Sequence, residues 1–438
     1  MRKSLTYVLL PLAVIISAIL PRGAEAVPAF ARQMGMSCSS CHFQHFPLLN
    51  NFGRAFKASG YTMDVTPTIE ADHFSLPVNL NMAMFTNIRF QQTNGTAAPG
   101  AATSDDGEWV IPGETSLFVA GRVNDHTGAL MEGDVGGAGA AGGAGFLASL
   151  KIPVIHAINS STTAGFVPFT SGLGPAYAYE TLNTGAVGNH LLTLVHPTEV
   201  SAQQYIQVGA GTTYNDYGGD AEGVGAFVAN NSYFVTAAKW SPNHISLNSD
   251  TAATGHLTSN YLRAAWTPIY EGFDLGLGLQ YMGGTSTRAG APMDRVRTEA
   301  YAVDAQLQGS VSNMPLGIYL SVATAPKTAP GDVPNLYNPN PNDKQALTLT
   351  AELGAFNEGR GTLQLAYRQA DDGTATMSND DALTIGASYL FSYNSQVSIL
   401  HTSYLGDAHD ASKPGGPLPI SATGGGDQLT SVNLAVAF

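Results

Sequence analysis

The sequence is short of charge. Only 12% of its 438 residues are Asp, Glu, Lys or Arg, about half the share usual in a soluble domain. Basic residues are the scarcer kind: 19 Lys and Arg stand against 33 Asp and Glu, for a formal charge of −14. That excludes a basic nucleic-acid footprint over the whole chain, so no nucleic-acid partner is expected. Long apolar runs are missing too. Val8 to Leu20 is mostly apolar, yet it falls short of the ~20 residues a helix needs to cross a bilayer. Cysteine is limited to two residues, too few for a disulfide scaffold. No Gly-Lys pair occurs, so there is no phosphate-binding GxxxxGK loop, and no His-Glu-x-x-His zinc site is present. What remains is 44% hydrophobic with 49 Gly and a mean hydropathy of +0.01. A disordered chain is less apolar than this. The balance suits a polypeptide that meets two solvents on alternate residues.

The first 26 residues read as an export signal. Arg2 and Lys3 make a positive start, Val8 to Leu20 is the apolar stretch, and Ala24-Glu25-Ala26 is a small-residue cleavage site that makes Val27 the first mature residue.

The two cysteines lie just beyond it, in Cys38-Ser39-Ser40-Cys41-His42. Cys-x-x-Cys-His is the attachment signature of a c-type haem. Two thiols about one helical turn apart reach the two haem vinyl groups, and the adjacent His42 ligates the iron from below. One covalently attached haem c is therefore expected, held by Cys38, Cys41 and His42. Zinc would need further ligands at suitable spacing, and only His45 is near. For the sixth iron ligand Met63 is favoured, with Met34, Met36, His45, His73, Met82 and Met84 competing. Arg54 and Lys57 are candidate partners for the haem propionates. Gly60-Tyr61 reads as a helix stop.

From Val78 onward the pattern has period two. Leu275, Leu277, Leu279 and Tyr281 alternate with Gly276, Gly278 and Gln280. Leu347, Leu349, Ala351 and Leu353 alternate with Thr348, Thr350 and Glu352. Leu363, Leu365 and Tyr367 alternate with Gln364, Ala366 and Arg368, and Val432, Leu434, Val436 and Phe438 with Ser431, Asn433, Ala435 and Ala437. Further strands are expected at Asn79–Gln91, Ser116–Val123, Gln204–Gly211, Ser232–Lys239, Asn260–Trp266, Thr298–Gln308, Leu316–Ala323, Ala382–Phe391 and Gln396–Tyr404. Alternating segments of ~10 residues are the mark of a transmembrane β-barrel. Because backbone groups in lipid must be paired, such strands close into a ring. Sixteen strands would leave roughly 23 residues for each strand and its connection. A secreted β-sandwich is the competing architecture. Gly133–Gly145, Asn94–Gly107, Ala325–Lys344 and Asp407–Gly426 read as loops. Carboxylates gather at Asp105, Asp106 and Glu108, at Asp216, Asp220 and Glu222, and at Asp371, Asp372, Asp380 and Asp381, where they would draw cations to a mouth.

The run Val27-Pro28-Ala29-Phe30-Ala31-Arg32-Gln33, Cys38-Ser39-Ser40-Cys41-His42, His45-Phe46-Pro47-Leu48-Leu49-Asn50, Phe52-Gly53-Arg54-Ala55-Phe56-Lys57 and Gly60-Tyr61-Thr62 resembles the fused outer-membrane monohaem cytochrome–porins of iron-oxidising bacteria. The alternating last strand with its terminal Phe resembles the assembly signal of bacterial outer-membrane barrels. The first resemblance implies a small α-helical monohaem cytochrome c domain at 27–77, possible plug of a mainly β, antiparallel transmembrane barrel of about 16 strands at 78–438. It also implies an electron conduit, in which an extracellular one-electron donor, Fe(II) foremost, is oxidised and a periplasmic c-type cytochrome receives the electrons across the outer-membrane lipid. Two other readings stand beside it: a diffusion porin whose cytochrome segment docks or senses, and a soluble periplasmic cytochrome with a β-rich substrate domain.

Overall fold

The computed structural model describes residues 29–71, 74–78, 81–94, 107–137, 146–185, 201–207, 220–243, 256–288, 294–356, 359–409 and 426–438. Its main body is a closed antiparallel barrel of sixteen strands. In chain order they are β1 (Met82–Thr93), β2 (Glu108–Asn124), β3 (Thr127–Gly137), β4 (Leu147–Lys151 with Val154–Ala157), β5 (Thr163–Ser171), β6 (Ala221–Ala229), β7 (Tyr233–Ser241) and β8 (Ser259–Trp266 with Ile269–Tyr270). Then follow β9 (Phe273–Gly283), β10 (Ala300–Val311), β11 (Met314–Ala325), β12 (Lys344–Phe356), β13 (Gly361–Asp371), β14 (Ala382–Ser392), β15 (Ser395–Tyr404) and β16 (Gln428–Ala437). β4 and β8 are each interrupted at a proline, Pro153 and Pro268, which has no N–H to give the ladder. The ring closes where β16 pairs with β1, from Leu429 opposite Thr93 to Ala437 opposite Phe85. Phe438 and Met84 complete it with reciprocal backbone bonds of 2.9 and 2.7 Å.

Burial in this barrel is inverted. On β9 and β14, Leu279 is 62% and Ile385 53% exposed, while Arg263 on β8 and Glu352 on β12 are fully buried. The outward row is Leu, Val, Ile and aromatic; the inward row is Thr, Ser, Gln, Asn and charged groups. A soluble sandwich would hide the first set and show the second. Only lipid outside and a polar interior make this arrangement favourable, so this is a membrane-spanning barrel of the outer-membrane type. Tyr233, Trp266 and Tyr270 mark the outer surface at the end with short turns, and Trp109, Tyr281 and Tyr301 mark the opposite end, as interfacial aromatic belts do. The short turns, for example Ser312–Asn313 between β10 and β11, face the periplasm in barrels of this type.

The expected alternation holds on β9, β12, β13 and β16. One expected strand does not form. Gln204–Gly211 begins inside a short helix, α3 (Ala202–Gln207), within the inward-folded chain between β5 and β6; residues 208–211 lie outside the described ones. Strands β3 to β6, rich in Gly and Ala, escaped the sequence reading because small residues carry little hydropathy contrast.

Residues 29–66 hold only α1 (Ala29–Met34), a 3-10 turn at Cys38–Ser40 and α2 (Asn51–Ala58). The separate α-helical domain expected there is not seen. Three short helical pieces enclose too little apolar surface for a core of their own, and the segment shares its core with the barrel wall. Met34, Phe56 and Tyr61 pack with Phe30 and with Leu130 of β3, and Leu48 packs with Phe43 and with Tyr319 of β11.

Replacing Leu279 by Arg puts a cation on the lipid face of β9. It is expected to cost about 2–4 kcal/mol, read as a lowered denaturant midpoint for folding into lipid vesicles. An unchanged midpoint would mean that this row does not face lipid.

Candidate functional site

The Cys38–His42 turn is built by local bonds. Cys41 and His42 both donate their N–H to the Cys38 carbonyl, at 3.1 and 2.9 Å. Asn50 then stitches the turn to α2. Its side chain caps the helix by accepting from Gly53 N at 2.9 Å and donates to Ser40 O at 3.0 Å, while its own N–H donates to Cys41 O at 3.0 Å. Gly53 permits the approach: a Cβ there would lie 2.2 Å from the Cys41 carbonyl oxygen.

This unit sits inside the barrel at its short-turn end. Gln44 donates to the carbonyls of Pro315 and Glu352 at 3.2 and 3.3 Å. His45 Nε2 lies 2.9 Å from both oxygens of Glu352, and its Nδ1 lies 2.8 Å from Phe46 O. Arg54 pairs with Asp274 at the start of β9, at 2.6 Å. Gly60 passes so close to Gly128 of β3 that a Cβ on Gly128 would fall 1.9 Å from the Gly60 oxygen. Gln33 donates to the carbonyls of Tyr61 and Met63 and accepts from Asn81.

A second piece fills the lumen. After β5 the chain turns inward through a 3-10 turn at Pro175–Ala178. Glu180 of this loop and Asp304 of β10 both bind Arg263 of β8. The Asn183 N–H donates to Gln306 Oε1 of β10 at 2.8 Å. Ala202 N donates to Ser321 Oγ at 2.8 Å, and Tyr205 donates its hydroxyl to Asp380. The two inserted pieces meet at Leu49 and Asn183, whose backbone and side-chain amide exchange bonds of 2.8 and 3.1 Å.

The geometry bears on each expected haem residue. Both thiols are half-exposed and free, and burial pushes their pKa values up. His42 Nδ1 lies 3.2 Å from Leu48 O, the kind of second bond that orients a ligating imidazole and leaves Nε2 for iron. Met36, Phe46 and Phe52 are exposed beside the turn, and the Phe46 ring packs edge-on against His42 at 5.3 Å. These residues fit a covalently held porphyrin: two free thiols, one oriented imidazole, and an uncovered apolar surface next to them.

For the sixth position, His45 is already engaged at both ring nitrogens. Met82 and Met84 lie in the outward row of β1, away from the lumen. Met34 is buried against Phe56 and Tyr61. Met36 and Met63 are exposed, and His73 lies outside the described residues. Arg54 pairs with Asp274 through Nη2 and, among the described residues, keeps Nη1 buried without a partner; Lys57 makes no ion pair with them.

The carboxylates expected to gather cations have other work where they are described. Asp371 and Asp372 accept turn N–H groups from Gly373 and Thr374, Asp380 pairs with Arg368, and Asp381 accepts from Ala370 N. Asp105, Asp106 and Asp216 lie outside the described residues. Among the described residues no group of three or more His, Cys, Asp or Glu is placed to hold a metal ion. Sequence reading missed Glu352, Asp274, Arg263, Asp304 and Glu180. The only signal was a charged residue in an otherwise small or neutral inward row, as with Glu352 among Thr348 and Thr350.

No family model and no curated relative matches the sequence. Solved structures are similar in fold. A variant of the porin of Rh. blastica shares 14% identity at a TM-score of 0.47, over 82% of this chain and 100% of its own. OmpT of Vibrio cholerae, expressed in the outer membrane, shares 10% identity at a TM-score of 0.44, over 85% of this chain and 100% of its own. These likenesses concern the barrel alone, which rests on the pairing and burial described above.

Burial lowers the pKa of His42 to about 4, against bonds to Leu48 and Pro47 that act to raise it. A histidine held neutral in this way supports the seated segment at pH above its ordinary 6.5, and that support is lost as pH falls towards 4. In haem-free protein, protease resistance of residues 29–66 is expected to drop across that window. His42→Gln should flatten the acid loss; an identical loss would place its cause elsewhere.

Proposed function

We propose that the chain is an outer-membrane electron conduit that carries one haem c. The extracellular donor is a one-electron reductant, Fe(II) foremost, and the acceptor is a periplasmic c-type cytochrome. One observation carries this reading: the Cys38–His42 turn lies within the mouth of a membrane barrel and is fastened to its wall through His45 and Glu352. Cys38 and Cys41 would hold the group through thioethers and His42 through Nε2. A haem so held would supply one-electron exchange at the short-turn mouth of the barrel, the end that faces the periplasmic acceptor. The His45–Glu352 and Arg54–Asp274 pairs keep the turn in register with the wall. The apolar side chains of Met36, Phe46 and Phe52 would exclude water from the ring edge.

A second reading, a diffusion porin with a cytochrome docking or sensing segment, is favoured by the architecture. Sixteen strands with a polar inward row make a wall suited to hydrated solutes.

The two readings part in one experiment on intact cells that carry the matured protein. Added Fe(II) is expected to reduce the haem absorption band, and the Cys38→Ser/Cys41→Ser double variant is expected to lose the band while its barrel still shows heat-modifiable gel migration. Solute-sized conductance in planar bilayers, with no optical response to Fe(II), would favour the porin.

A further inference from the structure

Two lysines meet where the N-terminal segment, the inward loop and the wall come together. Lys57 ends α2 and Lys151 ends the first part of β4. With Tyr61, Tyr179, Pro153 and Val167 they line a small cavity. Lys151 Nζ makes one hydrogen bond, to Tyr177 O at 3.2 Å, and sits 4.2 Å over the Tyr177 ring. An ammonium has three donors, so two remain. Among the described residues Lys57 has neither a hydrogen bond nor an ion pair, and the hydroxyls of Tyr61 and Tyr179 have no hydrogen-bond partner.

The nearest carboxylate does not answer this charge. Burial lowers the pKa of Lys57 to about 8, with Glu180 as the lesser and opposing influence. The Glu180 oxygens are taken by Arg263 and by the N–H groups of Thr181 and Leu182. Two lysine amines this close in a poorly solvated cavity cannot both hold a proton without strong mutual repulsion, unless an anion sits between them. The polar groups of the lining are two lysine amines and two phenol hydroxyls, with no carboxylate among them.

We propose that this cavity, with room for about one water-sized group, takes one oxygen of a small anion, an oxyanion or a carboxylate, between Lys57 and Lys151, with the Tyr61 and Tyr179 hydroxyls as further donors. The anion has two possible sources of the same chemistry, a free inorganic ion or a propionate of the haem attached at Cys38 and Cys41. The site does not depend on which donor reduces the protein, or on whether a haem is attached at all.

The test measures the thermal midpoint of the full-length mature barrel in detergent against sulfate, with a bulky organic anion holding ionic strength constant. Haem-loaded protein and the haem-free Cys38→Ser/Cys41→Ser form are compared, each also carrying Lys57→Met or Lys151→Met. The haem-free form is expected to gain a few degrees with each tenfold rise in sulfate beyond half-saturation, and either methionine is expected to abolish the gain. Without sulfate, Lys57→Met should melt no lower than its parent, because it removes like-charge repulsion; it lies on the segment, so it also covers the case in which Lys151→Met does not fold. A response in both haem-loaded and haem-free protein assigns the site to a free anion. A response only without haem assigns it to a propionate. No response in either form, or a full response retained in both methionine variants, would overturn the proposal.

Discussion

A backbone N–H or C=O in hydrocarbon has no water to fall back on, and everything else in this molecule follows from that. The strands must be paired on both edges, so β16 returns to β1 and leaves no free edge among the barrel strands. Closure divides each strand into two rows. The outer row meets lipid and is Leu, Ile, Val and aromatic. The inner row meets whatever fills the cylinder, and its Arg263, Asp304 and Glu352 have charges that must be answered there.

Two parts of the same chain supply those answers. Glu180, from the inward loop, joins Asp304 around Arg263, and His45, from the N-terminal segment, meets Glu352. Removing one member of such a buried set strands the other and costs about 3–5 kcal/mol. The pairs therefore fix where each insert sits more than they add net stability. The consequence for function is positional. A short, charge-poor segment with no core of its own is held in the mouth of a barrel by apolar packing shared with the wall and by a few buried polar pairs, and the Cys-x-x-Cys-His turn is held with it.

Much of the barrel was legible in the sequence, because lipid and water impose period two on every spanning strand. Leu277, Leu279 and Tyr281 point out and Gly278 and Gln280 point in, as their alternation implies. The legibility failed where contrast was weak, as in β5 and β6, and where a buried helix borrowed apolar residues, as at Ala202–Gln207. The proposed attachment residues Cys38, Cys41 and His42 stand out in the sequence because such chemistry requires fixed local spacing. Their anchors were not. Glu352 lies 307 positions from His45, and no local pattern encodes a pairing that closure of the ring brings about. Arg54 shows the same limit: its ion pair with Asp274, 220 positions away, is made by closure of the ring and by no local pattern.

The central claim is that the turn within the barrel mouth carries a covalently bound haem. Mass spectrometry of the peptide that contains Cys38 and Cys41, taken from protein matured in a host with c-type cytochrome assembly, tests it most directly. The account predicts a peptide heavier by one haem, joined at both cysteines. An unmodified peptide, or one in which the two cysteines form a disulfide, would contradict it.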